Sequence, residues 1–273
     1  MTLTLSGSSE IYATPRRVES VEDCFFYHTT ELPGLPTVEG EWDLRPGIDA
    51  YFGGASFAGK RVLDVGAANG FLSFHMEKAG AEVVSYDLSE EHSWDIVPYS
   101  GIDLAALDVQ RRQHLRAINN GYWLAHRSHA SRARMVHGTV YTIPEAIGPV
   151  DIAVFGAILL HLRDPFRALH NGLRLAGETA IVTELLPRRY SYLRRLGPAL
   201  IKRLGLPMML LPRQAQMSPV DGWWILPPAI VQEYLRILGF GDSSVSYHDQ
   251  IFRGEKRLVY TVVARRTLSL IHI

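Results

Sequence analysis

Two glycines and a distant acid in the first third of the chain form a pattern that suits a nucleoside ligand. Residues 61–65 have the apolar character of a buried strand and lead into a turn that contains Gly66 and Gly70. Glycine lets the backbone pass close to a ligand because it has no Cβ. The next apolar run ends in Asp87, where a carboxylate can accept hydrogen bonds from both ribose hydroxyls.

The spacing of this turn differs from that of the turn that binds dinucleotides. The dinucleotide turn has the spacing Gly-x-Gly-x-x-Gly, whereas here Ala68 replaces the second glycine and the spacing is Gly66-x-x-x-Gly70. Asp64 precedes the first glycine by two residues. A carboxylate there would repel a pyrophosphate, and it could hold the cationic amino group of a methionine tail, directly or through water.

The run Asp64-x-Gly66-x-x-x-Gly70, followed by an acid-ended strand, resembles motifs I and II of the class I S-adenosylmethionine (SAM) methyltransferases. The resemblance implies that SAM is the cofactor and S-adenosylhomocysteine (SAH) the product. It also implies a Rossmann-like, seven-stranded, mostly parallel sheet. The expected cofactor-binding residues are Asp64, Gly66, Ala68, Asn69, Gly70, Asp87, Leu88, Val140, Tyr141 and Gly156.

The elements that would position these residues alternate along the chain. Strands are expected at 61–65, 82–86, 133–136, 150–155 and 179–183, and helices at 70–79, 166–175 and 228–238. A polar, helical insert is expected at 89–132, and two alternating runs at 244–252 and 257–264 predict an antiparallel terminal hairpin. This alternation predicts an α/β fold with helices on both faces of the sheet. Ligands then bind beyond the carboxyl ends of the strands.

A second stretch narrows the resemblance. Residues 156–165 resemble the "LYH-R-P" segment of the tRNA wobble-uridine oxyacetic-acid methyltransferases and their uncharacterised relatives. The likeness covers about residues 25–266 and includes Tyr27-His28, Asp43-Leu44-Arg45-Pro46 and Trp223-Trp224. The chain departs from the tRNA-modifying members at Leu160, where they have a tyrosine that helps to handle a carboxylated SAM. Ordinary SAM is therefore expected. The N-terminal region is also much shorter than theirs, which together with the zero net charge disfavours a tRNA substrate.

His161 is the candidate catalytic base. Methyl transfer requires an aligned nucleophile, and a hydroxyl acceptor must also lose its proton. A neutral imidazole can take that proton near pH 7. The alternative role for His161 is to cap or orient the helix after the fourth strand. His28 and Glu184 are further catalytic candidates, with an ordinary arm histidine and a structural hydrogen bond as their alternatives.

Four aromatic residues are candidates for the wall of the acceptor site. Tyr122, Trp123, Trp223 and Trp224 could contact an apolar or ring-shaped acceptor, and core packing is the alternative. The histidines do not have the spacing of a metal site, so no metal is expected.

The overall charge favours a small-molecule acceptor. The 273 residues include 28 basic and 28 acidic side chains, so the formal net charge is zero and there is no global field to attract nucleic acid. We expect a hydroxyl of a natural product or a sugar to be methylated. The alternative is a tRNA wobble uridine, which a basic face at residues 188–203 would favour; a solvated amphipathic face is the other interpretation of those residues.

The remaining features concern location and domain organisation. The N-terminus lacks the features of a signal peptide and no run of eighteen apolar residues occurs, so a cytoplasmic protein without a membrane contact is expected. The single cysteine, Cys24, excludes an internal disulfide.

Five segments are expected along the chain. They are an N-terminal arm over the active site (1–58), a SAM-binding core (59–187), a helical and apolar insertion serving as a lid or a homodimer contact (188–222), a C-terminal helix with the closing hairpin (223–267) and a tail (268–273).

Overall fold

Eight strands form one sheet in the computed structural model, which describes residues 11–196 and 205–267 and gives Arg194 by its backbone alone. The strands of this sheet are β1 (Trp42–Asp43), β2 (Arg61–Val65), β3 (Glu82–Asp87), β4 (Arg134–His137), β5 (Val150–Gly156), β6 (Ala176–Leu185), β9 (Asp242–Phe252) and β10 (Glu255–Arg265). Their order across the sheet is β1-β9-β10-β6-β5-β2-β3-β4.

The topology places the ligand-binding edge where the sequence predicted it. Strands β6, β5, β2, β3 and β4 run parallel, whereas β10, β9 and β1 pair antiparallel. The chain passes from β2 to one side through β3 and returns to the other side at β5, so the strand order reverses between β2 and β5. The seven expected strands are present, and β1 from the N-terminal arm adds an eighth at the edge beside β9.

The helices pack on both faces of the sheet. They are α1 (Ile48–Tyr51), α2 (Phe71–Lys78), α3 (Leu104–Ser128), α4 (Pro165–Leu173) and α5 (Pro228–Ile237). Helix α4 begins as predicted, because the Asp164 side chain accepts a hydrogen bond from the Arg167 amide at 3.0 Å and Pro165 occupies the first helical position. The helical insert predicted at 89–132 contains α3, which is preceded by a long loop.

The alternation of side chains along the strands produces two cores. Leu63, Val65 and Phe155 point to the face that α4 and α5 cover, whereas Val62 and Val154 point to the face that α2, α3 and the arm cover. Strands buried on both faces are therefore nearly continuous apolar runs, as is usual in parallel sheets. None of the described helices has the length and apolar character needed to cross a membrane.

The insertion at 188–222 differs from the expected helical cap in its described part. Residues Arg188–Arg195 form a 3₁₀ helix, and the apolar run is extended: β7 (Met209–Leu210) pairs antiparallel with β8 (Trp224–Ile225). Met208 and Met209 pack against the core, which accounts for the apolar sequence. Residues 197–204 and the tail at 268–273 lie outside the described residues. The role of the insertion as a lid or a dimer contact stays a prediction.

Candidate functional site

A cavity of about 470 Å³ lies at the carboxyl ends of β2, β3 and β5. Nine of the residues predicted for the site line this cavity: His28, Gly66, Ala68, Asp87, Leu88, Val140, Tyr141, Gly156 and His161. These residues come from the N-terminal arm, the turn after β2, the end of β3 and the segments after β4 and β5. The topology therefore brings together residues that are far apart in the sequence.

The turn after β2 forms the cavity wall with its backbone. Gly66 has a φ of +85°, and a Cβ at this position would lie 2.7 Å from the side chain of Ile158. Ala68 also has a positive φ, +47°, although it is not a glycine. Strained backbone of this kind concentrates at functional sites. Ala157, after β5, shares the feature with a φ of +53° and also lines the cavity.

Asp87 closes the turn from the end of β3. Its Oδ2 accepts a hydrogen bond from the Ala68 amide at 2.5 Å, and its Oδ1 accepts one from the Leu88 amide at 2.6 Å. Burial raises the pKa of Asp87 to about 6, while these two backbone hydrogen bonds act in the opposite direction. Each carboxylate oxygen retains a second lone pair, so Asp87 can also accept hydrogen bonds from a ligand.

Three of the predicted cofactor residues lie behind the cavity wall. Asp64 is fully buried, and its Oδ2 accepts a hydrogen bond from the Ser73 hydroxyl at 2.5 Å. Its Oδ1 has no partner among the described residues, and burial raises the pKa of Asp64 to about 7. Asn69 accepts a hydrogen bond from the Tyr27 amide at 3.1 Å, which ties the arm to the turn, and Gly70 packs closely against the ring of Phe74.

His161 also lines the cavity, in the 3₁₀ turn Leu159–His161 after β5. Its Nδ1 forms a hydrogen bond with the main-chain oxygen of Asp221. A carbonyl oxygen only accepts hydrogen bonds, so Nδ1 carries the proton and the Nε2 of the neutral ring has the free lone pair. This tautomer leaves Nε2 able to accept a proton.

Glu184 supports the turn that carries His161. The side chain of Glu184 is 1% exposed and does not line the cavity, and its Oε1 accepts a hydrogen bond from the Leu159 amide at 2.6 Å. Burial raises the pKa of Glu184 to about 8, and backbone hydrogen bonds from Leu159, Leu160 and Leu185 oppose this shift. Its position is that of a residue that orients the His161 turn.

His28 projects from the arm over the turn after β2. Its ring lies 5.3 Å from the ring of Phe71, at the start of α2, and it forms a hydrogen bond with Asn69. Burial lowers the pKa of His28 to about 4, so the ring is neutral at pH 7. Its Nδ1 is buried and has no partner among the described residues.

The four aromatic residues predicted for the acceptor wall lie outside the cavity lining. Tyr122 and Trp123 are buried in the core because α3 turns this face to the sheet, and the Tyr122 hydroxyl donates to Ser85 at 2.9 Å. Trp223 and Trp224 donate from their indole nitrogens to the main-chain oxygens of Asp95 and Arg163. The rings that do line the cavity belong to Tyr27, Trp42, Tyr51, Tyr86, Trp94, Tyr141 and Phe252.

Some residues that line the cavity were not predicted from the sequence; they lie on the arm and on residues 219–224, which are called the strap below. The strap crosses one side of the cavity: the Val220 oxygen accepts from the Val97 amide at 2.8 Å, and the Trp223 amide donates to the Leu160 oxygen at 2.7 Å. It brings Asp221 to the cavity, as the arm brings Glu41. Neither acid lies in a motif, and the aromatic composition of the arm was the only signal.

The charged residues that line the cavity are acidic. Glu41, Asp87, Asp95 and Asp221 line it, together with two histidines, and no lysine or arginine does so among the described residues. An anionic ligand would therefore meet repulsion from several sides, and a neutral or cationic one would not.

The fold is that of known SAM-dependent methyltransferases. The N-terminal domain of EvdMO1, in a structure with SAH and D-fucose, aligns with a TM-score of 0.51 and 16% identity over 90% of this chain and 92% of that chain. A SAM-dependent methyltransferase from Methanosarcina mazei aligns with a TM-score of 0.50 and 17% identity over 83% of this chain and 100% of that one.

No family model and no curated protein matches the sequence. The structural likeness confirms the predicted class I fold, whereas the resemblance to the tRNA wobble-uridine enzymes finds no such support.

Proposed function

We propose that this chain is a SAM-dependent methyltransferase that transfers a methyl group to a hydroxyl of a small molecule. One observation carries the proposal: Asp87 is hydrogen-bonded to the positive-φ turn at Gly66 and Ala68, and both line one cavity. This cavity lies where the strand order of the sheet reverses, which is where such sheets bind ligands. The presence of SAH in the EvdMO1 structure supports the choice of cofactor.

The described residues fit SAM. Asp87 would accept hydrogen bonds from the ribose hydroxyls, and Leu88 and Val140 would pack on the adenine. The turn from Gly66 would lie against the methionine part, and Asp64, buried behind this turn with an orphan Oδ1, would attract its amino group through the turn or through water. A buried carboxylate oxygen without a partner is costly, so a cationic partner nearby stabilises it.

His161 would perform the proton transfer. Bound SAM supplies a methyl group whose bond to sulfur breaks as the acceptor oxygen attacks the carbon, with the electron pair left on sulfur. The hydroxyl proton passes to Nε2 of His161, because Nδ1 is already engaged with the main chain of Asp221. Glu184 holds the backbone of the same turn and is a positioning residue in this scheme.

The acceptor would be a small neutral or cationic molecule. The acidic lining disfavours a phosphate-rich acceptor, which argues against the tRNA alternative. Aromatic rings on the lining suit the apolar face of a ring-shaped acceptor such as a sugar. The D-fucose in the EvdMO1 structure supports a hydroxylated acceptor of this size.

Isothermal titration with SAM and SAH, beside NAD as a control ligand, tests the cofactor. We expect micromolar binding of SAM and SAH, no binding of NAD, and loss of binding in Asp87→Ala. Asp242→Ala is the matched control, because Asp242 is an exposed acid at the start of β9. Binding of NAD, or equal SAH affinity in the two variants, would contradict the proposal.

The acceptor class is tested by measuring SAH release from SAM. Pools of hydroxylated small molecules, including sugars, are compared with unmodified bulk tRNA as acceptors. We expect SAH release with a small-molecule pool and none above background with tRNA. Methylation of tRNA would exclude the small-molecule assignment.

A further inference from the structure

One wall of the cavity is built by residues outside the SAM motifs. Tyr27, His28 and Glu41 of the arm and Asp221 of the strap line it, and these four residues are called the arm wall below. The arm holds its own members together, because the Trp42 amide donates to the Tyr27 oxygen at 2.8 Å and a β-bridge joins His28 to Trp42. The arm wall is thus an ordered part of the cavity.

The arm wall offers hydrogen-bond acceptors. Glu41 pairs through Oε1 with Arg253, and Asp221 pairs through Oδ2 with Arg111 at 2.9 Å, so each carboxylate keeps a second oxygen. His28 is neutral, and its Nδ1 is buried without a partner among the described residues. Two carboxylate oxygens therefore remain available to accept hydrogen bonds from a ligand.

The electrostatic field at this wall favours a cation. Burial is the largest cause that raises the pKa of the Tyr27 hydroxyl, and the carboxylates of Glu41, Asp221 and Asp87 raise it further. Arg111 is the cation that opposes them. The guanidinium of Arg111 lies 4.9 Å from the ring of Trp94, so this region already stabilises one cation on an aromatic face.

We propose that the arm wall is a binding site for an ammonium group. A protonated amine has three donors and no acceptor, which suits a wall whose charged groups are carboxylates and whose Tyr27 hydroxyl can accept as well as donate a hydrogen bond. The inference rests on the proposed function, since the ammonium comes either from the amino-acid end of the cofactor or from a basic acceptor. The two sources share one chemistry, and two sets of binding measurements distinguish them.

The first set of measurements compares SAH with 5′-methylthioadenosine, which has the same nucleoside without the amino-acid end. Isothermal titration is done on the wild type, Glu41→Gln and Asp221→Asn, with Glu39→Gln as the matched control because Glu39 is exposed on the same arm. If the cofactor supplies the ammonium, SAH affinity falls roughly tenfold in the first two variants. The affinity for methylthioadenosine stays unchanged.

The second set of measurements uses SAH-saturated protein and three ring compounds that differ in one group. The probes are 2-aminocyclohexanol, cyclohexane-1,2-diol and 2-hydroxycyclohexanecarboxylate, and saturation-transfer NMR measures their binding. If a basic acceptor supplies the ammonium, the amine binds roughly tenfold more tightly than the diol, and the carboxylate most weakly. Glu41→Gln and Asp221→Asn remove that preference, whereas Glu39→Gln retains it.

The expected result in either set of measurements supports the ammonium site and identifies the source of the ammonium group. The proposal is overturned if neither set of measurements shows a charge preference that the two variants remove. Glu41 and Asp221 would then only form ion pairs with Arg253 and Arg111. Failure of both SAH and methylthioadenosine to bind the wild type would instead reject the proposed function. Binding of both nucleosides without a charge effect would reject the ammonium site alone.

Discussion

The two halves of the cavity are built in different ways. The cofactor half consists of the turn after β2 and the end of β3, which lie on neighbouring parallel strands in the middle of the sheet. Its polar contacts join backbone amides to Asp87 within one short stretch of chain. The acceptor half joins the arm, the strap and the turn at His161, three segments that are distant in the sequence.

The forces that hold the two halves also differ. The cofactor half rests on strands β2 and β3, whose inner residues are buried on both faces. The acceptor half is held by main-chain hydrogen bonds between loops and by ion pairs such as Asp221 with Arg111, where the side chains are 36% and 22% exposed. Partly exposed pairs contribute little stability, about 0–1 kcal/mol each. Geometry on the acceptor side can therefore change by substitution without loss of the fold, whereas the cofactor side has little such freedom.

The largest expected effect separates catalysis from cofactor binding. Replacing His161 with alanine removes the proposed base on the acceptor half, so kcat should fall roughly 10²–10⁴-fold. SAH affinity should change by less than about twofold, because the proposed role of His161 is to take the proton of the acceptor and not to bind the cofactor. SAH release and isothermal titration measure the two quantities. Unchanged turnover with intact SAM binding would remove His161 from the mechanism.

The next effect is confined to the cofactor half. In Asp87→Asn the amide nitrogen must face the Ala68 or the Leu88 amide, and a donor facing a donor loses the hydrogen bond. SAH affinity should fall roughly 10–100-fold, as expected for loss of hydrogen bonds to a charged acceptor. Titration measures the affinity, and circular dichroism controls for folding. An unchanged SAH affinity in a folded variant would mean that Asp87 does not bind the ribose.

The same contrast explains which features the sequence could predict. The strand at 61–65 and the hairpin followed from apolar runs and alternation, and Gly66, Ala68 and Asp87 followed from a local spacing. Glu41 and Asp221 carried no local signal, because only the tertiary fold brings the arm and the strap to the cavity. Tyr122 and Trp123 were predicted to line the acceptor site and are instead buried in the core. Their aromatic character alone does not reveal which face of a helix is buried.

The next prediction concerns the contribution of Glu184, which supports the His161 turn, to the stability of the protein. Its pKa is raised by burial to about 8, so the folded state binds a proton more tightly than the unfolded state does. The stability from this group is fully present below the unfolded value near 4.5 and is lost as the pH rises through about 8. Glu184→Gln, which mimics the protonated form, should flatten this decline in melting temperature between those pH values.

Replacement of the same residue by alanine provides the contrasting variant. Glu184→Ala leaves the Leu159 amide without its partner in a buried place, which should cost about 1–3 kcal/mol of unfolding free energy. Denaturant unfolding at pH 7 measures this loss, and the glutamine variant serves as the control. If the glutamine variant reproduces the pH dependence of the wild type, another group causes it.

The smallest expected effect concerns the pH dependence of cofactor binding. Asp64 has a pKa raised to about 7, mainly by burial, and its Oδ1 has no partner among the described residues. If the ammonium of SAH lies near this oxygen, it binds the ionised form better, so affinity should rise from pH 6 to pH 8 by about threefold to tenfold. Asp64→Asn should remove most of this rise and leave a remainder due to Asp87, whose pKa is about 6. Titration of 5′-methylthioadenosine supplies the control, because it has no ammonium and should lack the Asp64-dependent part. An equal pH dependence for both ligands would place the source of the effect in the nucleoside end of the cavity and leave Asp64 as a structural residue bonded to Ser73.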